Sequence, residues 1–225
     1  PLFSFPAPPH FGMDEGRALG LPSRASDAEL RRYPALSGVI GSKTMTELHN
    51  RCLDTFPEWL RTLATDATEL AEILARPAAP DVARRYVTGG LNYLFKSLDL
   101  IPDGIEDLGF LDDAFVLRVA ADLAIQEAPA VKEEAPVLAR LAADAKLVAE
   151  LLGKDYARLE SYVKGLTKGA ARGRSVDDIL DNDEVRKGFL TEVTGWAASY
   201  ATPTFTRDEK NLVKLQSFLS AKLPN

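Results

Sequence analysis

Acidic residues are concentrated in one short stretch of the chain. Residues 99–113 read DLIPDGIEDLGFLDD and contain six acids and no base. Carboxylates at this density suit either the binding of a hard divalent cation or contact with a partner of opposite charge. We therefore take this stretch, the acidic loop, as the candidate binding site. Its candidate binding residues are Asp99, Asp103, Asp107, Asp112 and Asp113.

A metal site is one interpretation of the acidic loop. Because all candidate ligands are oxygens, the ions to consider are Mg²⁺, Mn²⁺ and Ca²⁺. The EF-hand pattern fails, since Ile101 and Phe110 fall where that loop requires ligands. Helix capping and ion pairing are the competing interpretation, and we expect no cofactor. The candidate metal ligands are Asp99, Asp103, Asp112 and Asp113.

The spacing of the last two acids places them beside apolar residues. Asp112 shares a helical face with Phe115, and Asp113 shares one with Val116. Two carboxylates about 4 Å apart repel by about 4 kcal/mol at an effective dielectric of about 20. Only Lys96 is a nearby base in the hairpin that we expect. The repulsion between Asp112 and Asp113 must therefore be reduced by a distant cation, a metal, a raised pKa or water.

A basic segment follows later in the chain. Its bases are Lys164, Lys168, Arg172 and Arg174. With the interleaved glycines, a helix would carry a basic strip beside a glycine strip, which is typical of a solvated helix end or of anion binding. We also consider that this segment neutralises the acidic loop, within the chain or across an oligomer.

The remaining residues do not assemble a catalytic set. The chain contains one cysteine, Cys52, and two histidines, His10 and His49. This supply argues against a zinc site and against Ser-His or Cys-His catalysis. We assign no catalytic residue and expect a protein that is not an enzyme.

Composition excludes several classes of protein. The chain has 225 residues and a formal net charge of −6, and its other 27 acids equal its 27 bases. A nucleic-acid partner is not expected for a chain with an acidic balance. We predict a soluble cytoplasmic protein, because no apolar run is long enough to span a membrane and a single cysteine suits a reducing compartment. Contact with a membrane surface is disfavoured, since anionic lipids would repel the acidic loop.

Apolar spacing predicts helices through most of the chain. Stripes at three- and four-residue intervals follow one another from about residue 43, and no segment alternates as a strand would. Thr55-Phe56-Pro57-Glu58 has the form of a capping box and predicts a helix restart. Ser175-Val176-Asp177-Asp178 can cap a short turn, and Gly153 is well placed to end the helix before it in the chain. We predict an all-α bundle of about eight helices over residues 43–225, with a helical hairpin over residues 81–128.

The first 42 residues differ from the rest. Six of the 14 prolines lie before residue 37, together with Phe3, Phe5 and Phe11. Proline disfavours helix, so residues 1–42 are predicted to form an extended arm, with room for a short helix over residues 27–33. The arm either packs on its own domain or reaches a partner subunit.

The acidic loop also carries a family resemblance. Asp99-Leu100-Ile101-Pro102-Asp103, followed by Leu108-Gly109-Phe110-Leu111-Asp112-Asp113, resembles the signature of the YkvA-like family, a mostly bacterial domain of unknown function. The resemblance covers about residues 88–127. It implies a helical hairpin with an acidic loop, near membranes in some members, and it implies no established reaction.

Two functional hypotheses follow. The first is a non-enzymatic helical interaction or adaptor protein that binds a protein partner or self-associates through the arm or the acidic loop. The alternative is a divalent-metal-dependent enzyme, hydrolytic or acting on phosphate-bearing substrates, that uses the acidic loop.

Overall fold

The computed structural model describes residues 34–224 except residue 77, with side chains from Met45 onward. The chain divides between residues 43 and 44, and the packing described below is that of the second unit. In chain order the α-helices are α1 (Pro34–Ala75), α2 (Asp81–Tyr93), α3 (Leu111–Glu127), α4 (Val131–Glu134), α5 (Pro136–Leu152), α6 (Tyr156–Leu166), α7 (Val176–Asp181), α8 (Asp183–Ser199) and α9 (Glu209–Lys222). A 3₁₀ turn, Gly153–Asp155, joins α5 to α6. The all-α fold class is confirmed.

Helix α1 is longer than the sequence predicts. It begins at Pro34, so residues 34–42, which we assigned to the extended arm, have a helical backbone. Proline is well tolerated in the first turn of a helix, because the N–H it lacks would be unsatisfied there. The predicted arm over residues 1–33, with its short helix at 27–33, lies outside the described residues.

The predicted restart at residues 55–58 is wrong. Helix α1 runs through this point with Pro57 inside it. An interior proline removes one backbone hydrogen bond and costs about 3 kcal/mol. Phe56 and Leu60, on either side of it, are fully buried in the same core. The burial of two large side chains offsets a cost of this size, at about 1.5–3 kcal/mol for each.

Helix α3 is the central helix of the core. Every residue from Leu111 to Ala121 is buried, so this helix has no solvent-facing side over its first three turns. It packs against α2 on one side and α5 on another. The contact with α2 is close at Gly90, where an added Cβ would lie 3.2 Å from the Cβ of Ala120. Most of these buried residues are apolar, as in a helix at the centre of a core, and Asp112, Asp113 and Arg118 are buried with them.

The C-terminal part adds short elements with well-formed caps. Ser175 and Asp178 form the predicted capping box at the start of α7. Gly153, with φ of 53°, ends α5 as predicted. Among the described residues, no helix is both long and apolar enough to cross a bilayer.

The basic segment is not a continuous helix. Helix α6 ends at Leu166, and Ala170–Ala171 (β1) pairs antiparallel with Arg174–Ser175 (β2). Arg172 and Gly173 both have positive φ, which is the geometry of a two-residue type I′ hairpin turn. Gly173 adopts a positive φ at little cost. The glycines interleaved with the bases therefore do not form one face of a helix here.

Candidate functional site

The hairpin of α2 and α3 presents the acidic loop. The loop leaves α2 through two tight turns, in which Phe95 and Lys96 donate backbone hydrogen bonds to Asn92 and Tyr93. It re-enters helix at Phe110, which has φ of 65° and precedes the first residue of α3. The Phe110 ring packs edge-on against Tyr200, with ring centroids 5.3 Å apart. Both ends of the loop are therefore fixed to the core.

Gly109 allows the loop to close on itself. A Cβ at this position would overlap the backbone carbonyl oxygen of Asp103. The Gly109 N–H also donates to the carbonyl of Ile105 at 2.8 Å. The two halves of the loop thus touch backbone to backbone, and only a residue without a side chain permits this approach.

Asp112 fastens the loop to α2 from inside. Its Oδ2 accepts a hydrogen bond of 2.5 Å from the Tyr93 hydroxyl and another of 2.9 Å from the Ile101 N–H. The Tyr93 hydroxyl in turn accepts from the Leu100 N–H at 2.8 Å. Asp112 is fully buried, and its Oδ1 has no hydrogen-bond partner in the part of the chain that the structure describes. One side chain therefore holds the Leu100–Ile101 backbone against the end of α2.

Asp113 is buried and forms no ion pair with any base among the described residues. Its side chain is in the first turn of α3, and only 3% of the residue is exposed. Burial raises its pKa well above the usual value, and the charges of Asp112, Asp103 and Asp99 raise it further. The pKa of Asp112 is also raised by burial, although its hydrogen bonds from Tyr93 and Ile101 oppose the rise. Raised pKa values thus relieve part of the repulsion that the sequence indicates.

The other acids of the loop face outward. Asp103 and Glu106 are exposed, and Asp99 is half-buried. Burial, followed by the charge of Asp103, raises the pKa of Asp99 to about 6. Asp107 points elsewhere, because its Oδ1 accepts from the Thr206 N–H at 2.6 Å. The acidic loop therefore has a buried pair that is structural and an outer group that solvent or a partner can reach.

An apolar side chain projects beside the outer acids. Leu98 is 83% exposed, although the neighbouring Leu100 and Ile101 are buried. Pro102 and Asp103, four and five residues further along the chain, are also exposed. We call residues 97–106 the acidic tip.

Aromatic rings and one lysine line the base of the loop. Lys96 Nζ lies 3.2 Å from the Tyr162 hydroxyl and 5.3 Å from the centre of that ring. The Tyr162 ring meets Tyr93 edge-on, with centroids 6.1 Å apart. Burial, with the charges of Asp112 and Asp99, raises the pKa of Tyr162 to about 12. Lys96 is the base that the sequence placed near the loop, and its charge lowers the pKa of Asp99 against the effect of burial.

The predicted metal ligands do not converge. No group of three or more His, Cys, Asp or Glu side chains is arranged to hold a metal ion in the part of the chain that the structure describes. Asp112 is turned toward Tyr93 and Ile101, whereas Asp103 is exposed on the surface.

The bases of the basic segment form their ion pairs with Glu192 and Glu160 and not with acids of the acidic loop. Arg174 binds Glu192 through two contacts of 2.6 and 2.7 Å, and Arg172 lies 3.5 Å from the same carboxylate. Lys164 pairs with Glu160 at 3.4 Å. Among the described residues, no ion pair joins these bases to the acidic loop. Within the described residues, the basic segment therefore does not neutralise the acidic loop by direct ion pairing.

The single cysteine is a buried residue of the hydrophobic core. Cys52 is fully buried in α1, and burial raises the pKa of its thiol to about 12. The thiol therefore stays protonated at neutral pH and is not an activated nucleophile.

Sequence reasoning missed a second buried polar group, next to the hairpin. Arg118 is fully buried in α3, with its guanidinium 4.0 Å from the centre of the Trp59 ring. Its Nε lies 3.2 Å from Asp144 and its Nη2 lies 3.5 Å from the buried Asp66. Arg140 also reaches Asp66, at 2.9 Å. This network joins α1, α3 and α5, and the signal that could have indicated it is an arginine within the apolar run of α3.

Comparison with known proteins identifies the same hairpin. A family model described as "Protein of unknown function (DUF1232)" matches residues 83–118. The match includes most of α2, the whole acidic loop and the first turns of α3, and it ends at Arg118. No curated protein and no solved structure matches the chain.

Proposed function

We propose that this chain is a non-enzymatic helical interaction protein and that the acidic tip is its contact surface for a protein partner. The observation that carries the proposal is the exposed Leu98 on a loop that is rigidly held from behind. Asp112 and Gly109 fix the loop, so presenting the tip requires little ordering on binding. Preorganised surfaces bind more tightly because they avoid that entropic cost.

The chemistry of the tip defines the partner. Asp99, Asp103 and Glu106 supply negative charge with no base between them. Leu98 supplies one apolar anchor at their edge. A protein surface with basic residues around a small apolar depression complements both features, since interfaces combine buried apolar contacts with a polar rim.

We also propose that the hairpin is YkvA-like and that the protein is a bacterial, cytoplasmic one. The DLIPD and LG-x-LDD elements and the family match at residues 83–118 support the first part. The single cysteine supports a reducing compartment.

A pair of matched variants tests the contact surface. Leu98 and Val213 are both exposed apolar residues, at 83% and 57%, and only Leu98 lies on the acidic tip. We expect Leu98→Ser to abolish the co-purification of bound protein from cells that express the chain, whereas Val213→Ser retains it. The composition of the bound fraction, measured by mass spectrometry after mild cross-linking, gives the comparison. Equal capture by both variants would contradict the proposal.

A further inference from the structure

Two surface patches of opposite charge lie next to each other in the folded chain. One is the acidic tip, residues 97–106, which contains Asp99, Asp103 and Glu106 and no base. The other is the basic segment, in which Lys164, Lys168 and Arg172 are exposed. Each patch is large enough in charge to attract a partner of the opposite sign.

The basic segment carries an excess of positive charge. Its four bases share two carboxylates, because Arg172 and Arg174 both pair with Glu192 and Lys164 pairs with Glu160. Lys168 makes no ion pair within the described residues. Arg172 is a further available cation, because 60% of its side chain is exposed. The ion pairs inside the chain therefore leave this patch with two positive charges that a partner can meet.

Side-chain contacts place the basic segment beside Phe95 and Lys96, the two residues that precede the acidic tip. The guanidinium carbons of Arg172 and Arg174 lie 4.9 and 5.6 Å from the centre of the Phe95 ring. Lys96 lines a small cavity together with Leu166 and Gly169, which flank Lys168. Phe95 and Lys96 directly precede the acidic tip in the chain. The basic segment thus lies beside the residues that connect α2 to the acidic tip.

Neighbouring patches of opposite charge on one chain favour a two-fold symmetric dimer. A two-fold rotation lays the acidic part of one copy on the basic part of the other, and it makes the same contact twice. No ion pair joins the two patches within one described chain, so their charges remain available. Leu98, at 83% exposure on the edge of the tip, would be covered by the same contact.

We propose that a second copy of this chain binds here, with the acidic tip of each copy on the basic segment of the other. This rests on the proposed function, since it names the partner of the same tip. The contact is mainly electrostatic, so the dimer is strongest at low ionic strength. The Debye length falls from about 30 Å at 0.01 M to about 3 Å at 1 M salt, and the dimer dissociates over that range.

Charge reversal on each side separates this arrangement from other forms of association. The acid-reversed variant carries Asp103→Lys with Glu106→Lys, and the base-reversed variant carries Lys164→Glu with Lys168→Glu. All four positions are exposed. Each variant alone has two patches of like sign, so we expect it to be monomeric. An equimolar mixture restores opposite signs at both contacts, so we expect it to form a one-to-one dimer.

Sedimentation velocity on the purified full chain, at low and high salt, measures these states. The control variants are Glu133→Lys and Lys132→Glu, which change charge at exposed positions of α4. They should dimerise as the unmodified chain does. A dimer that survives either reversal, or a mixture that stays monomeric, would overturn the inference.

The two proposals fail in different ways. If the purified chain is monomeric at millimolar concentration and low salt, while Leu98→Ser still abolishes capture of another protein, self-association is excluded and the proposed function stands. If Leu98→Ser changes neither association nor capture, both proposals fail.

Discussion

At the scale of single residues, Asp112 connects three parts of the hairpin. Its Oδ2 receives the Tyr93 hydroxyl from α2 and the Ile101 N–H from the loop, while its own backbone lies in the first turn of α3. Its Oδ1 is buried and has no hydrogen-bond partner among the residues described. One oxygen therefore carries the stabilising contacts, and the other adds only a cost of burial.

This asymmetry predicts different effects for two substitutions. Asp112→Ala removes the acceptor of two buried donors, each of which costs about 1–3 kcal/mol when left unsatisfied. We expect the free energy of unfolding to fall by about 3 kcal/mol, within that range. Asp112→Asn keeps an oxygen for both donors and removes a buried charge, so we expect a fall of less than about 1 kcal/mol. Urea unfolding followed by circular dichroism measures both, and equal losses would show that the two hydrogen bonds contribute little.

At the scale of elements, the loop between α2 and α3 depends on one close backbone approach. Gly109 meets the carbonyl of Asp103, and the adjacent Phe110 adopts a left-handed conformation. By contrast, Gly104 lies in the same loop with no atom within 4 Å of the position of an added Cβ. The two glycines therefore form a matched pair for testing the closure of the loop.

We expect Gly109→Ala to open or unfold the loop. The added methyl group would overlap a backbone atom that cannot move without breaking the turn, and overpacking of this kind costs about 1–3 kcal/mol or more. Gly104→Ala should change stability by less than about 0.5 kcal/mol, as do most surface substitutions. Thermal unfolding gives the comparison. A Gly109→Ala chain as stable as Gly104→Ala would show that the loop closes in another way.

The elements also show what local sequence signals can and cannot predict. The capping box at Ser175 and the stop at Gly153 involve neighbours in the chain, and both predictions are confirmed. The predicted restart at residues 55–58 is wrong, because burial on both sides of Pro57 overrides a local signal. The basic repeat forms a hairpin turn at residues 172–173 instead of a helix face.

In the candidate site, too, local sequence signals predict some features and not others. Spacing along α3 correctly placed Asp112 and Asp113 beside apolar residues, since helical periodicity is local. Tyr93 as the partner of Asp112 could not be predicted, because it depends on how α2 and α3 are aligned in space. The same holds for the contact of Arg118 with Asp66, which joins residues 52 positions apart.

At the scale of the whole molecule, two sets of carboxylates oppose each other as pH changes. Asp99 and Asp113 have pKa values raised mainly by burial, to about 6 in the case of Asp99. The folded state therefore binds their protons more strongly than the unfolded state, so stability increases as pH falls toward these pKa values. Asp178 and Glu192 have pKa values lowered by hydrogen bonds from Ser175 and Arg174, so stability is lost as pH falls through them.

These opposing terms predict maximal stability in mildly acid solution. We expect the free energy of unfolding to rise from pH 8 to about pH 5 and to fall below about pH 4, because the raised group titrates first and the lowered group last. Asp113→Asn removes a buried carboxyl whose pKa burial raises well above its usual value, so it should stabilise the chain more at pH 8 than at pH 5. It should also flatten the rise between pH 8 and 5, whereas Asp181→Asn, at an exposed position of α7, should leave the curve unchanged. Urea unfolding at each pH tests this, and an Asp113→Asn curve as steep as that of the unmodified chain would assign the pH dependence to other groups.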